Sequence, residues 1–213
     1  MGTLLSQVIP LALGAAISPV LFLLTLTTLT GARPLLRGLA LTAGAAVPLV
    51  VVGVFAFAIG GSLHTSHATK ATIDLALGVL LVLVGMRALV RPPAEPKPAE
   101  ESKRPAGPAR SFALGFGAMV TNVTTLALYL PAMKLIATSH VSDTDRVLAH
   151  VIVALITLTP AAVPVALVAV APRSSRRILA AVSQFMSDHR RALPVVLGFG
   201  FGAWLIVKGV AAL

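Results

Sequence analysis

The sequence predicts an all-α integral membrane protein with six transmembrane helices, arranged as two three-helix repeats that are inverted relative to each other. Hydrophobic residues make up 57% of the 213 positions and charged residues only 11%, whereas soluble domains carry roughly 25% charged residues. Apolar runs of about 20 residues, the length that crosses a bilayer core, occur six times. Short motifs of the first runs return in the same order in the later ones.

The first apolar run covers residues 3–30 and is interrupted by the stretch Gly14-Ala15-Ala16-Ile17-Ser18-Pro19. Proline lacks an amide donor and clashes with the preceding turn, so this stretch predicts a break in the helix and a freed backbone carbonyl. Further along, Thr25 adds a hydroxyl group. The run lacks the basic lead-in of a signal peptide and is too long for one, and we interpret it as a helix of the mature protein.

The second and third runs complete the first predicted repeat, residues 1–91. Residues 38–60 contain the motif Ala45-Ala46-Val47-Pro48, and residues 71–89 form the third run. Residues 92–110 are rich in Pro, Ala, Glu and Lys and cannot bury apolar area. They predict a disordered cytoplasmic linker between the two repeats.

The second predicted repeat, residues 111–213, contains the counterparts of these motifs. In the fourth run, residues 111–137, the stretch Gly117-Ala118-Met119-Val120-Thr121-Asn122 matches the first break and places Asn122 opposite Pro19. Asn122 is followed by Val123 rather than by a proline. The fifth run, residues 147–171, repeats the second motif as Ala161-Ala162-Val163-Pro164. In the sixth run, residues 192–213, a Gly198/Gly202 pair suits close helix contact.

Between the fifth and sixth runs the sequence predicts an amphipathic helix over residues 174–189. Ile178, Val182 and Phe185 fall on one helical face, and arginines surround them. A basic helix with one apolar face is typical of segments that lie along a membrane surface. We therefore expect an interfacial helix with these three side chains turned toward lipid or protein.

Charge predicts the orientation of the chain in the membrane. The formal net charge is +10, and most of the 17 basic residues lie in the first, third and fifth loops. By the positive-inside rule these loops are cytoplasmic, so both termini face outward from the cell membrane. The charge therefore indicates contact with anionic membrane lipids. Nucleic-acid binding would need a basic patch on a folded soluble face, and the sequence predicts no such face.

Polar groups near the middle of the first and fourth runs are the predicted substrate site, because matching interruptions in two halves of a membrane chain are typical of a transporter. The substrate-binding candidates are Ser18, Pro19, Thr25, Thr121, Asn122, Thr124 and Thr125. The helix-break and structural candidates are Gly14, Pro48, Gly117 and Pro164. An alternative is that the hydroxyls of the first run bond their own helix and that Asn122 only ties span four to its neighbour.

The sequence predicts no catalytic residues, no metal site and no cofactor, and hence a protein that is not an enzyme. Cysteine is absent, which excludes disulfides and a dithiol relay. His64, His67, His140 and His150 map to the outward loops, where we expect solvated side chains rather than metal ligands. A nucleotide-binding loop, which a primary pump would need, is missing as well.

Six spans in a three-plus-three repeat, with breaks at Ser18-Pro19 and Thr121-Asn122 and a basic loop between spans five and six, resemble the lysine exporter superfamily. Within it the chain looks most like the glycolipid-addressing or sulfolipid-addressing protein family. Members of that family usually carry Asn-Pro in the fourth span, where this chain has Asn122-Val123. The resemblance implies export of a small or lipidic solute, such as a glycolipid or its precursor, by alternating access.

Two other functions are compatible with the same residues. One is export of an amino acid or another small solute, because hydroxyls and an amide can bind a zwitterion. The other is a non-transporting scaffold for a lipid export machine, with the linker and the amphipathic helix as docking surfaces. The expected partners are membrane lipids, the substrate, and either a second copy of the chain in a homodimer or a lipid-synthesis protein.

Overall fold

A computed structural model of the chain describes residues 1–30, 33–60, 67–90, 107–189 and 192–211. These ranges contain nine α-helices: α1 Gly2–Ala16, α2 Pro19–Thr28, α3 Pro34–Gly60, α4 His67–Val90, α5 Pro108–Thr121, α6 Val123–Ala137, α7 Asp143–Val170, α8 Pro172–Asp188 and α9 Ala192–Val210. The all-α prediction is confirmed for this part of the chain.

Three of the described helices are long and apolar enough to cross a membrane: Pro34–Ala58 in α3, Asp143–Val170 and Ala192–Val210. Two further candidates are the bent pairs α1–α2 and α5–α6, so the helices supply up to five spans by length and composition. In α4, the apolar stretch Leu75–Arg87 is shorter. The protein is thus a membrane protein by its helices, and the sixth span stays a prediction.

The helix boundaries differ from the predicted runs at several ends. Most of the predicted linker, residues 92–106, lies outside the described residues, but α5 already begins at Pro108. Proline is well suited to the first position of a helix because its missing amide has no acceptor there. The region of the predicted interfacial helix is helical from Pro172 to Asp188.

Helix α8 packs on α2 and α7. Within this helix Leu179 and Ser175 are buried, whereas Ile178 and Phe185 are 48% and 55% exposed. The latter two residues are seven positions apart and so lie on one face of the helix. Helix α8 therefore has an inner face against the bundle and an outer apolar face.

Glycines bring α4 and α9 into close antiparallel contact. A methyl group added at Gly78 would lie 3.0 Å from the carbonyl oxygen of Gly202, and one at Gly85 would lie 3.3 Å from the Cα of Gly198. Both members of the predicted Gly198/Gly202 pair therefore face α4. Small residues permit such backbone contact between membrane helices.

Helices α3 and α5 cross with even less space between them. A methyl group on Gly44 would overlap the Phe112 carbonyl oxygen, and one on Gly115 would overlap the Leu41 carbonyl oxygen. Backbone therefore meets backbone at this crossing, which we call the glycine crossing. Helices α3 and α7 also pack together. They run antiparallel, since Gly38 lies against Val165 at one end and Gly53 against His150 at the other.

Candidate functional site

The first helix break lies between α1 and α2, which meet at an angle of 55°. Ile17 leaves the helical region with ψ 79°, and Ser18 is extended with φ −123° and ψ 91°. Ser18 caps α2, because its Oγ accepts a hydrogen bond from the Leu21 amide at 3.4 Å. Pro19 occupies the first helical position, where its fixed φ suits a helix start.

The second break, between α5 and α6, is the sharper of the two, with a bend of 71°. Asn122, with φ −81° and ψ 77°, both ends α5 and caps α6. Its Oδ1 accepts from the Thr125 amide at 3.2 Å, so the side chain takes the place of a backbone acceptor. An asparagine cap thus ends one helix and begins the next without a proline.

This capping role also corrects the predicted alignment of the two breaks. The sequence placed Asn122 opposite Pro19, but in the structure Asn122 corresponds to Ser18. Each of the two side chains caps a helix by accepting from the amide three residues later. The two breaks are therefore equivalent in hydrogen bonding and shifted by one residue from the sequence match.

Two hydrogen bonds join the breaks to each other. Asn122 Nδ2 donates to Ser18 Oγ at 2.7 Å, and Thr125 Oγ1 donates to the Ala15 carbonyl at 3.1 Å. The Ala15 carbonyl lies four residues before Pro19, so it is the acceptor that the missing proline amide leaves without a donor. Span four thus satisfies the carbonyl that the break in span one frees.

These contacts bring the N-termini of α2 and α6 together. Each helix N-terminus carries a partial positive charge and has amides without an intrahelical acceptor. The first-turn amides include those of Val20, Val123 and Thr124. Ser18 is only 3% exposed, and Asn122 is half-buried. The arrangement can therefore donate hydrogen bonds to an anionic or strongly polar group.

The other predicted binding residues are not part of this hydrogen-bonded cluster. Thr25 is fully buried and donates to the Leu21 carbonyl of its own helix at 2.8 Å. Thr121 is exposed and donates to the Gly117 carbonyl, also at 2.8 Å. Thr124 is half-buried beside Asn122. Both Thr25 and Thr121 thus bond within their own helices, which for Thr25 was the alternative interpretation.

The matched glycines and prolines have unequal surroundings. A methyl group on Gly14 would lie 2.9 Å from the Phe201 ring and 3.2 Å from Leu128, whereas one on Gly117 would meet nothing within 4 Å. Gly14 is therefore a packing residue, and open space adjoins Gly117 next to the second break. Pro48 and Pro164 are both buried inside continuous helices, α3 and α7.

A second polar cluster was missed because the sequence placed His150 in a loop. Helix α7 begins at Asp143, since Ser142 Oγ caps it by accepting from the Asp145 amide at 3.2 Å. His150 therefore lies two turns inside the helix, and its Nδ1 is 3.4 Å from Tyr129 Oη and 3.1 Å from Met133 Sδ. The Ser142-x-x-Asp145 spacing was the signal for this earlier helix start.

Comparison with protein families bears on the identity of the chain. Residues 8–211 match the model of the family described as Sap, sulfolipid-1-addressing protein. The chain belongs to the sulfolipid-1-addressing protein family. No curated protein and no solved structure matches it.

Family membership confirms the resemblance to the sulfolipid-addressing proteins. Together with the apolar helices, it indicates a membrane protein involved in the addressing of lipids. The match extends across both helix breaks and across α8. Membership in the wider lysine exporter superfamily is consistent with this result and stays a prediction.

Proposed function

We propose that this sulfolipid-addressing family member exports a lipidic solute, a glycolipid or its precursor with an anionic headgroup, from the cytoplasmic side of the cell membrane outward. The headgroup would bind where the two breaks meet, and its acyl chains would extend between the spans. Alternating access would expose this site to each side in turn. The protein would act as a transporter, not as an enzyme.

The observation that carries this proposal is the Asn122–Ser18 hydrogen bond of 2.7 Å between two broken spans. Transporters use broken helices whose N-termini point at anionic substrate groups near the bilayer midplane. Asn122 has both a donor and an acceptor, and Ser18 Oγ accepts twice, which leaves its own proton to be donated. The exposed Thr121 and the open space at Gly117 give the polar cluster a side from which a headgroup can approach.

The proposed mechanism needs two halves of opposite orientation, and the helix packing supports this. The corresponding helices α3 and α7 run antiparallel, as do α4 and α9. Antiparallel counterparts are what an inverted repeat of three spans requires. With the basic loops in the cytoplasm, α2 would extend to the inner surface and α6 to the outer one, and both termini would be outside.

An anionic lipid as substrate is supported by the family description, which refers to a sulfolipid, and by the composition of the four helices that form the breaks. The sequences of α1, α2, α5 and α6 contain no Asp or Glu. Helix α8 would lie on the cytoplasmic leaflet through exposed Ile178 and Phe185. Basic residues near an anionic leaflet contribute on the order of 1 kcal/mol each.

The alternative functions predict different results. An amino-acid exporter would use the same amides for a carboxylate but would move no lipid. A scaffold would need the Ser18–Asn122 contact only for helix packing, where an interhelical hydrogen bond contributes about 0.6 kcal/mol on average.

The experiment is reconstitution of the full chain into liposomes that contain a fluorescent lipid in both leaflets. The probes are a nitrobenzoxadiazole-labelled sulfated glycolipid, the uncharged glycolipid with the same chains, and the labelled zwitterionic phospholipid. Loss of fluorescence after dithionite is added outside measures how fast inner-leaflet lipid reaches the outer leaflet. We expect the sulfated probe to move fastest, and Asn122→Ala to slow it at least about tenfold, the effect of about 1.4 kcal/mol.

Thr159→Ala is the matched control, because Thr159 is an exposed hydroxyl in α7 that bonds only its own helix, at the Ile156 carbonyl. Its liposomes should move lipid at the unmodified rate. Equal rates for Asn122→Ala and the unmodified protein, at equal folded yield, would remove Asn122 from the site. Uptake of labelled amino acids without lipid movement would favour the small-solute alternative, and movement of neither would favour the scaffold.

A further inference from the structure

The imidazole of His150 lies in a pocket formed by three helices. On the α6 side, Tyr129 Oη and Met133 Sδ are 3.4 Å and 3.1 Å from His150 Nδ1. Tyr129 is fully buried, and its hydroxyl is 3.2 Å from the Leu49 carbonyl of α3. A methyl group on Gly53 of α3 would overlap the imidazole ring. The ring therefore occupies the space that a side chain at position 53 would need.

A neutral imidazole satisfies this pocket. Tyr129 donates its one proton to Leu49, and a neutral His150 with its proton on Nδ1 donates to Met133 or to the tyrosine oxygen. A protonated ring would have a second N–H and a positive charge, and none of the described residues in contact with it is an acid. In this pocket the uncharged ring joins α3, α6 and α7.

The charged groups around the pocket do not favour a cation. Of the helices that pack on α7, α1 and α2 carry no ionisable side chain, α3 carries only Arg37 at its opposite end, and α6 carries Tyr129 and Lys134. Helix α8 follows the far end of α7. On α7 itself, Arg146 lies one turn before His150 and pairs with Asp143 at 3.3 Å.

The pocket is connected to the helix breaks along one face of α6. Asn122, Thr125, Tyr129 and Met133 are spaced by three or four residues, so they share a face of that helix. The first two bind Ser18 and the Ala15 carbonyl, and the last two contact His150. A change in the contacts of His150 would therefore act on α6 one turn from the central cluster.

We propose that His150 is the binding site for a coupling proton. Proton binding charges the imidazole, which leaves the space beside Gly53 and separates α3 from α7 at the N-terminal side of α7. In the orientation proposed above, this opens the site toward the outside. The role in transport rests on the proposed function, whereas the proton-dependent separation of the helices does not.

The absence of cysteine makes the separation measurable, because two introduced cysteines are then the only labelling sites. Phe57→Cys on α3 and Thr144→Cys on α7 place spin labels at exposed positions near the pocket. Pulsed electron–electron double resonance on the full chain in liposomes gives the distance between the two labels at about pH 5 and about pH 8. An ordinary histidine side chain changes its charge between these two pH values. We expect a longer distance at the acidic pH.

In the doubly labelled chain, His150→Gln should remove the pH response and keep the shorter distance. His140→Gln is the matched control, since His140 is exposed outside the helices, and it should retain the response. Gly53→Ala, which displaces the ring without removing it, should give the longer distance at both pH values. No pH response in the parent chain, an unchanged response in His150→Gln, or its loss in His140→Gln would each overturn the proposal.

A second readout separates this proposal from the proposed function. With the labelled sulfated glycolipid, an imposed pH gradient should change the rate of lipid movement in the unmodified protein and not in His150→Gln. If the rate of lipid movement is independent of the pH gradient in both proteins, the coupling role is overturned and the proposed function still stands. A pH-dependent label distance without any lipid movement would overturn the proposed function and the coupling role, and would leave the proton-dependent separation of α3 from α7 standing.

Discussion

The two helix breaks reach the same geometry by different physical means. At Ser18-Pro19 the covalent structure of proline removes a backbone donor, so the break is present in the chain before any tertiary contact forms. At Asn122 nothing in the backbone chemistry prevents a continuous helix, yet the bend is 71° against 55°. The second break depends on the side-chain bonds that Asn122 makes to Thr125 and Ser18.

This difference implies that the two breaks should respond unequally to substitution. Removal of the Ser18 side chain takes away the cap of α2 and the bond to Asn122, but it leaves the proline in place. At the second break, removal of Asn122 takes away the cap of α6 and the bond to span one together. Three sets of substitutions test this inequality.

The largest loss is expected for Asn122→Asp. A carboxylate keeps the capping oxygen but removes the Nδ2 donor to Ser18. It also introduces a charge, which costs about 2.5–3.5 kcal/mol at the centre of a membrane helix. The midpoint temperature of thermal unfolding in detergent and the yield of monodisperse protein should both fall. Asn122→Ser, which can cap the helix without a charge, should lose much less stability. An Asn122→Asp protein as stable as the parent would mean that this residue is surrounded by water.

A smaller and unequal loss is expected for the alanine substitutions at the two caps. Asn122→Ala should cost about 1–2 kcal/mol, because it removes a helix cap worth about 1 kcal/mol and an interhelical bond worth about 0.6 kcal/mol. Ser18→Ala should cost about half as much, since its capping contact is long, at 3.4 Å, and Pro19 maintains the break. If the two variants lose the same free energy of unfolding in denaturant titrations, Pro19 does not maintain the first break in the absence of the Ser18 cap.

The smallest effect is expected for Thr125→Val, and it should depend on Pro19. The substitution removes the donor to the Ala15 carbonyl and should cost about 0.6 kcal/mol. In a Pro19→Ala background the new amide can donate to the same carbonyl, so the loss should nearly vanish. A double-mutant cycle measures this coupling. Additive costs would mean that Thr125 does not compensate for the missing proline amide.

Much of the architecture could be predicted because it depends on local chemistry. Composition indicated the membrane class, and proline indicated both the first break and its freed carbonyl. The freed carbonyl of Ala15 follows from the position of Pro19 alone. Its donor, Thr125, lies 110 positions away in the sequence. No pattern along the chain specifies which of several hydroxyls in span four will reach it.

The candidate site was only partly predictable for the same reason. Asn122 was aligned with Pro19 as a helix breaker, whereas its role is that of a cap, a distinction that depends on backbone angles. His150 was placed in the outward loop although it lies within the predicted run of residues 147–171, and α7 itself begins four residues before that run, at Asp143. Its contacts with Tyr129 and Met133 come from packing between helices, which sequence periodicity does not report.

The glycine crossing of α3 and α5 has a mechanical consequence. At Gly44 and Gly115 the two backbones meet with no side chain between them, so there is no layer of rotamers that could rearrange to let the helices slide. The two backbones are therefore held in register at this place. A displacement of α3 at the His150 end would either carry α5 with it or bend α3 between Gly44 and Gly53.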